Sequence, residues 1–269
     1  MKIIYAAIAS LAMSACSPTE LRVDQAAPIA KSQLQYSVTQ LQGHDNYVYL
    51  KSLTPDVIPY WSYDGGSSTK ALDTLIFPFS GQYVIKYGVN SAGGYVGEDS
   101  TTITVTNTDL STITDPAWSY LTNGQAGKTW VLDMTQPIGW YGPDYLKNNG
   151  SADDWSYHPT YVGNEWVMPN LNYGSMKFDL NNAKNYTPNM TDFNGVVTNC
   201  SSKFNLDLTN NKMTLTGCGL LYGGDYHSQV SNWNAITIIA ISDTSMTLGV
   251  WRDQGAGLCW IGYTFIPKP

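Results

Sequence analysis

Leu258-Cys259-Trp260-Ile261-Gly262-Tyr263-Thr264-Phe265-Ile266 is a stretch without a single charge. Read with a period of two, one face carries Cys259, Ile261, Tyr263 and Phe265, and the other Trp260, Gly262, Thr264 and Ile266. Aromatic and β-branched side chains suit a pleated surface, and a run that is apolar on both faces predicts a central strand. Upstream, residues 235–241 and 245–250 repeat the pattern. Asp243-Thr244 joins these two, and Gln254-Gly255-Ala256-Gly257 leads into the last strand. Strands joined by short polar turns predict an antiparallel meander. Further candidates lie at 129–134, 165–168, 175–180, 203–208 and 213–216. Residues 119–269 therefore predict a second antiparallel β domain, and a jelly-roll sandwich and a closed, lipocalin-like barrel both fit it. Trp130, Trp251 and Trp260 fall inside strand patterns and are expected in the core.

Composition agrees with an all-β chain. Of 269 residues only 13% are charged, the net charge is −7, and glutamate occurs only as Glu20, Glu98 and Glu165. Asn, Ser and Thr are abundant, and they compete with helical backbone bonding. A long helical bundle is excluded. So is a nucleic-acid partner held by charge, because phosphate binding rests on Lys and Arg.

The N-terminus reads as an address. Lys2 precedes an apolar run over residues 3–13, too short to span a bilayer but suited to a secretory signal. It ends Met13-Ser14-Ala15-Cys16, which resembles a bacterial lipobox. That resemblance implies a signal peptide over residues 1–15 and lipidation at Cys16, with the membrane reached through the lipid alone. Residues 16–35 read as a tether. Of the remaining cysteines, Cys200 and Cys218 flank two strand candidates turned by Asn210-Asn211, which favours a disulfide between them and leaves Cys259 over. His44, His158 and His227 show no ligand spacing, and neither a metal nor a cofactor is expected.

Residues 36–107 alternate strand and turn signals, with candidate strands at 47–50, 60–63, 75–79, 83–89 and 101–106. Tyr60-Trp61-Ser62-Tyr63-Asp64-Gly65-Gly66, Gly81-Gln82-Tyr83-Val84-Ile85 and Thr101-Thr102-Ile103-Thr104-Val105 together resemble a PKD-type immunoglobulin-like domain. The Asp64-Gly65-Gly66 turn is a loosened version of the motif typical of that family. The resemblance implies a β-sandwich spacer with Trp61 between its sheets. Residues 108–118 read as a linker.

Function is sought between positions 140 and 166. Trp140, Tyr141, Tyr145, Trp155, Tyr157, Tyr161 and Trp166 lie there among Gly139, Gly142, Pro143, Asp153, Asp154 and Gly163. The composition predicts a long functional loop. A sugar ring offers C–H groups to the face of an indole or phenol, while its hydroxyls seek planar acceptors and donors. The expected ligand contacts are Trp140, Tyr141, Tyr145, Trp155, Tyr157 and Trp166, with Asp154, Asn164 and Glu165 as polar partners. A second aromatic loop, Tyr222 to His227 with Trp233, is expected to border the same site. Catalysis is not expected, for want of a paired acid and base and of a Gly-x-Ser-x-Gly elbow. Lys147 and Arg252 are the cations available to an anionic polymer.

Lipobox, PKD-type spacer and Trp-rich β domain together resemble the surface glycan-binding lipoproteins of Bacteroidetes. Gly127-Lys128-Thr129-Trp130-Val131-Leu132-Asp133, followed by Gly139-Trp140-Tyr141-Gly142-Pro143, is similar to the second domain of such lipoproteins. The resemblance implies a lipid-anchored outer-membrane protein that captures a polysaccharide or oligosaccharide beside a SusC/SusD-type uptake complex, without chemistry of its own. The weakly acidic stretch Ser17-Pro18-Thr19-Glu20 leaves both the cell-surface and the periplasmic face open. The alternatives are an accessory lipoprotein that binds a protein partner and a glycoside hydrolase.

Overall fold

The computed structural model describes residues 26–147 and 154–269. The signal peptide, Cys16, Asp153 and the first part of the tether lie outside the described residues. The chain is all-β, with 47% strand and 8% helix.

The first seven strands are β1 (Tyr36–Leu41), β2 (His44–Ser52), β3 (Ile58–Tyr63), β4 (Gly66–Ser68), β5 (Leu72–Ile76), β6 (Gly81–Ser91) and β7 (Gly94–Val105). They form two antiparallel sheets, β1-β2-β5 and β4-β3-β6-β7. Alternation sets the inner faces: Val48 and Leu50 of one sheet meet Trp61, Ile85, Tyr87 and Ile103 of the other. Trp61 is fully buried and its Nε1 donates to the Lys70 carbonyl at 3.0 Å. It lies against Tyr87, with ring centroids 4.5 Å apart. The strand expected at 75–79 starts and stops earlier, because Pro78 has no N–H to give a ladder. Phe79 beyond it packs into the core of the second unit.

Residues 108–118 are not a free linker. Leu110, Ile113 and Trp118 pack against the second core, and Thr108 Oγ1 donates to Asn182 Oδ1 at 3.0 Å. Asp115 caps helix α1 (Pro116–Thr122), its carboxylate accepting the Ala117 N–H, with Pro116 at the first helical position.

The second unit contains β8 (Lys128–Leu132), β9 (Ile138–Tyr141), β10 (Ser156–Tyr157), β11 (Gly174–Asp179), β12 (Asn185–Thr191), β13 (Val197–Asn199), β14 (Ser202–Asp207), β15 (Lys212–Thr216), β16 (Ala235–Ile241), β17 (Met246–Arg252) and β18 (Cys259–Pro267). Eight of them run in chain order around a closed antiparallel barrel, β8-β11-β12-β14-β15-β16-β17-β18. It closes where Leu132, Val131 and Trp130 pair with Phe265, Ile266 and Pro267. The barrel alternative holds, and the jelly roll does not. β18 is central, with β17 on one side and both β8 and β9 on the other.

The barrel interior is filled. Trp130, Phe178, Tyr186, Tyr263 and Phe265 are fully buried within it, as small eight-stranded barrels allow. α1 packs across the end where β8 begins: Leu121 is fully buried and its carbonyl accepts the Trp130 Nε1–H at 2.9 Å. Trp251 and Trp260 correct the expectation of three core tryptophans. They are register partners across β17 and β18, only half-buried on the barrel's outside, with centroids 4.6 Å apart.

Two further sequence expectations fail for local reasons. Residues 165–168 contain a 3₁₀ turn (Glu165–Val167) rather than a strand. β12 escapes the strand pattern because of Pro188. That residue sits between the stretch paired with β14 (Asn185, Tyr186) and the stretch paired with β13 (Asn189 to Thr191), where no ladder donor is needed. Cys200 and Cys218 are bonded, their Cα atoms 6.6 Å apart, and Cys259 is free and buried.

Candidate functional site

The site is built by an interruption of the barrel wall. Between β8 and β9, residues 133–137 stand opposite Thr264 alone, and β9 resumes the pairing with Ile138 opposite Tyr263. The bulge is held by two hydrogen bonds, Asp133 N–H to the Thr264 carbonyl (2.9 Å) and Thr264 N–H to the Pro137 carbonyl (3.2 Å). Bulges re-aim a strand. Here β9 leaves β11 and takes β10 as its second neighbour.

Strand alternation then sends Trp140 and Tyr141 to opposite faces. Trp140 pairs with Ile261 on the barrel side, at the end where β17 turns into β18. It is only 5% exposed and belongs to the core. Tyr157 is its register partner on β10, which places the two rings 5.9 Å apart and 16° from parallel. Trp166, from the 3₁₀ turn, lies 5.8 Å from Trp140 at 4°. Trp155, Tyr157 and Trp166 are 43%, 49% and 58% exposed. All four line a cleft of about 370 Å³.

The opposite wall comes from the loop after β15 and the end of β17. Gly224 carries φ +87°, a backbone that strains any residue with a Cβ, and it brings the loop close against Ile138 of the barrel. The Asp225 N–H donates to the Val167 carbonyl at 2.7 Å, tying the two loops together. Tyr226 adopts a left-handed backbone, φ 61°, and the Arg252 guanidinium sits 3.9 Å from its ring centre. Arg252 Nε donates to Gln229 Oε1 at 2.6 Å and Nη2 to the Ala256 carbonyl at 2.7 Å. The Asp225 carboxylate, which lines the cleft, has no side-chain partner among the described residues. Trp140 Nε1 is also buried without a partner. A lone buried donor costs about 1–3 kcal/mol, and this one is sealed from the cleft, as is Trp233 Nε1.

The expected contacts divide. Trp140, Trp155, Tyr157 and Trp166 converge on the cleft. Tyr141 and Tyr145 do not; Tyr141 is buried on the barrel's outer side over Gly262, 4.9 Å from the Tyr145 ring and 5.7 Å from His158. Tyr141 is a packing residue because β9 is a strand buried on both faces and not part of a loop, and Tyr145, half-buried in a 3₁₀ turn (Tyr145–Lys147), packs on it. Asp154 does not line this cleft. Asn164 is structural, its amide donating to the Thr160 carbonyl at 3.0 Å while its oxygen accepts the Trp166 Nε1–H at 3.3 Å. Glu165 accepts the Gly163 N–H at 3.0 Å, which holds its exposed carboxyl below the usual range. The second aromatic loop supplies Asp225 and Tyr226, whereas Trp233 packs inward, 6.0 Å from Tyr263. Arg252 and Cys259 are further lining residues. Arg252 was legible only as a spare cation, and nothing in the sequence marks Cys259.

Burial, followed by the neighbouring Tyr145, pushes the Tyr141 phenol up to about 12, and burial does the same for Tyr173. Unfolded phenols titrate near 10. The folded state thus holds these protons more tightly. Their contribution to stability is complete below pH 10 and is lost as the pH climbs toward 12. Phenolate absorbance and circular dichroism, followed together, should show alkaline unfolding within that window; phenols that all titrate near 10 while the fold persists would contradict it.

No family model matches the chain, and no curated protein matches it.

Proposed function

We propose that the protein is a non-catalytic polysaccharide-binding lipoprotein that presents the Trp140 cleft to a glycan. One observation carries this reading. Three exposed aromatic rings are gathered around a fourth at the mouth of a barrel whose interior is full, with a carboxylate left over for hydroxyl groups. Exposed aromatic clusters of this kind are unusual on a surface unless they bind something. Trp166 is held stiff by stacking on the buried Trp140, and its exposed surface suits a sugar ring. The filled barrel argues against a small apolar ligand held inside, the use that eight-stranded barrels with empty interiors serve.

In the same reading Cys16 carries the lipid, the sandwich of β1 to β7 lifts the barrel from the outer membrane, and a SusC/SusD-type complex receives the captured chain. Affinity gel electrophoresis against a panel of plant, fungal and bacterial polysaccharides tests it. Retardation by at least one glycan without release of reducing sugar is the expected result. Retardation by none removes the reading, and sugar release replaces it with hydrolysis.

A further inference from the structure

The cleft does not end at Trp166. A second cleft, about 620 Å³, adjoins it and shares Trp166, Asp225 and Tyr226. Its own lining includes Glu165, Phe193 and His227. The Phe193 ring is stacked on the His227 imidazole, 4.4 Å away at 29°. His227 Nδ1 donates to the Gly224 carbonyl at 2.7 Å, since a carbonyl can only accept, and this leaves Nε2 for other contacts. Each compartment thus repeats one chemical plan, an aromatic surface beside polar groups. The residues at the junction are the most exposed tryptophan of the site, the unpartnered carboxylate of Asp225, and a tyrosine held in place by Arg252.

Charge narrows what can lie across the junction. The larger compartment is lined by the carboxylates of Glu165 and Asp225 and by no Lys or Arg. The guanidinium of Arg252, in the smaller one, is held by Gln229, Ala256 and the face of Tyr226, all uncharged, so among the described residues the one cation of the two clefts lies in that compartment alone. A uronate in the larger compartment would meet two like charges and no Lys or Arg, which is unfavourable at short range, and a polymer charged at every unit must place one there. Uncharged hydroxyls can instead donate to both carboxylates.

We infer that the two clefts act as one groove that holds an interior stretch of an uncharged polysaccharide, with one or more sugar units in each compartment and Asp225 bonded to the unit between. This rests on the glycan-binding reading above and adds chain position and charge to it.

Calorimetry with gluco-, manno- and xylo-oligosaccharides of two to six units, with galacturonan oligomers as the charged counterpart, tests it. For whichever neutral series binds, the dissociation constant should fall at least about tenfold from the disaccharide to the hexasaccharide. Borohydride reduction of the chain end should leave the hexasaccharide unaffected. Phe193→Ala, in one compartment, and Trp155→Ala, in the other, should each weaken the hexasaccharide about fivefold or more. Affinity that is flat with length, sensitivity to end reduction, or a preference for galacturonan would overturn the inference while leaving glycan binding intact; these measurements need only the unaltered protein. Absence of binding to every oligomer, together with no retardation by any polysaccharide, would remove the glycan reading itself.

Discussion

The double variant Trp155→Ala/Trp166→Ala is expected to lose polysaccharide retention almost completely, by about 100-fold in affinity, with its unfolding temperature unchanged. The size follows from the stacking surface. An aromatic platform contributes about 0.5–1.5 kcal/mol beyond its buried area, and about 1.4 kcal/mol is tenfold in affinity. Two platforms lining one cleft therefore multiply to roughly 100-fold, less if their contributions are coupled. The fold should not notice, because both side chains are exposed and exposed substitutions stay within about 0.5 kcal/mol. The local interactions lost are the bond from Trp166 Nε1 to Asn164 and the stacking of Trp166 on Trp140, whose ring stays held by Ile261 and Tyr157. Retention equal to that of the unaltered protein, in a variant that melts at the same temperature, would dismiss this cleft as the binding site.

Trp130→Ala is expected to be the reverse case, a large loss of stability with no direct effect on the cleft. Trp130 is fully buried, and it sits where β8 meets both β11 and β18 to close the barrel. Removing an indole from such a core costs about 3–5 kcal/mol, a large share of a typical total of about 5–15 kcal/mol. It also strips the Leu121 carbonyl of its donor and loosens α1. Urea denaturation should show the midpoint fall steeply, with Trp130→Phe in between. A midpoint shift as small as that of Trp251→Ala, on the barrel's outer face, would mean that closure at β8 contributes little.

The contrast between these tryptophans shows what the sequence could reveal. Alternation exposed β14 and β15 at once, because Phe204, Leu206, Met213 and Leu215 point inward between polar neighbours. It exposed β16 to β18 as well, since apolar runs separated by tight turns have few other readings. It failed at β9, where Gly139 and Gly142 around two aromatics read as loop, and both faces turn out to be covered. It failed at β12, because a proline in mid-strand is tolerated only where a neighbour is missing, and a missing neighbour is a fact about other segments. Closure itself was out of reach. The pairing of Trp130, Val131 and Leu132 with Phe265, Ile266 and Pro267 joins the two ends of the unit, and no local signal reports it. The site was half legible for the same reason. The aromatic richness of residues 140–166 marked the region, but which rings face the cleft depended on the bulge at 133–137, and Asp225, Tyr226 and Arg252 arrive from segments far along the chain.

The pairing of β8 with β18 also governs when the molecule can mature. The first strand of the barrel waits for the last, so no amount of earlier synthesis completes the wall, and the loop-closure entropy of the whole unit falls due in a single late step. Until β18 is synthesised, no closed barrel can form, however complete the strands before it.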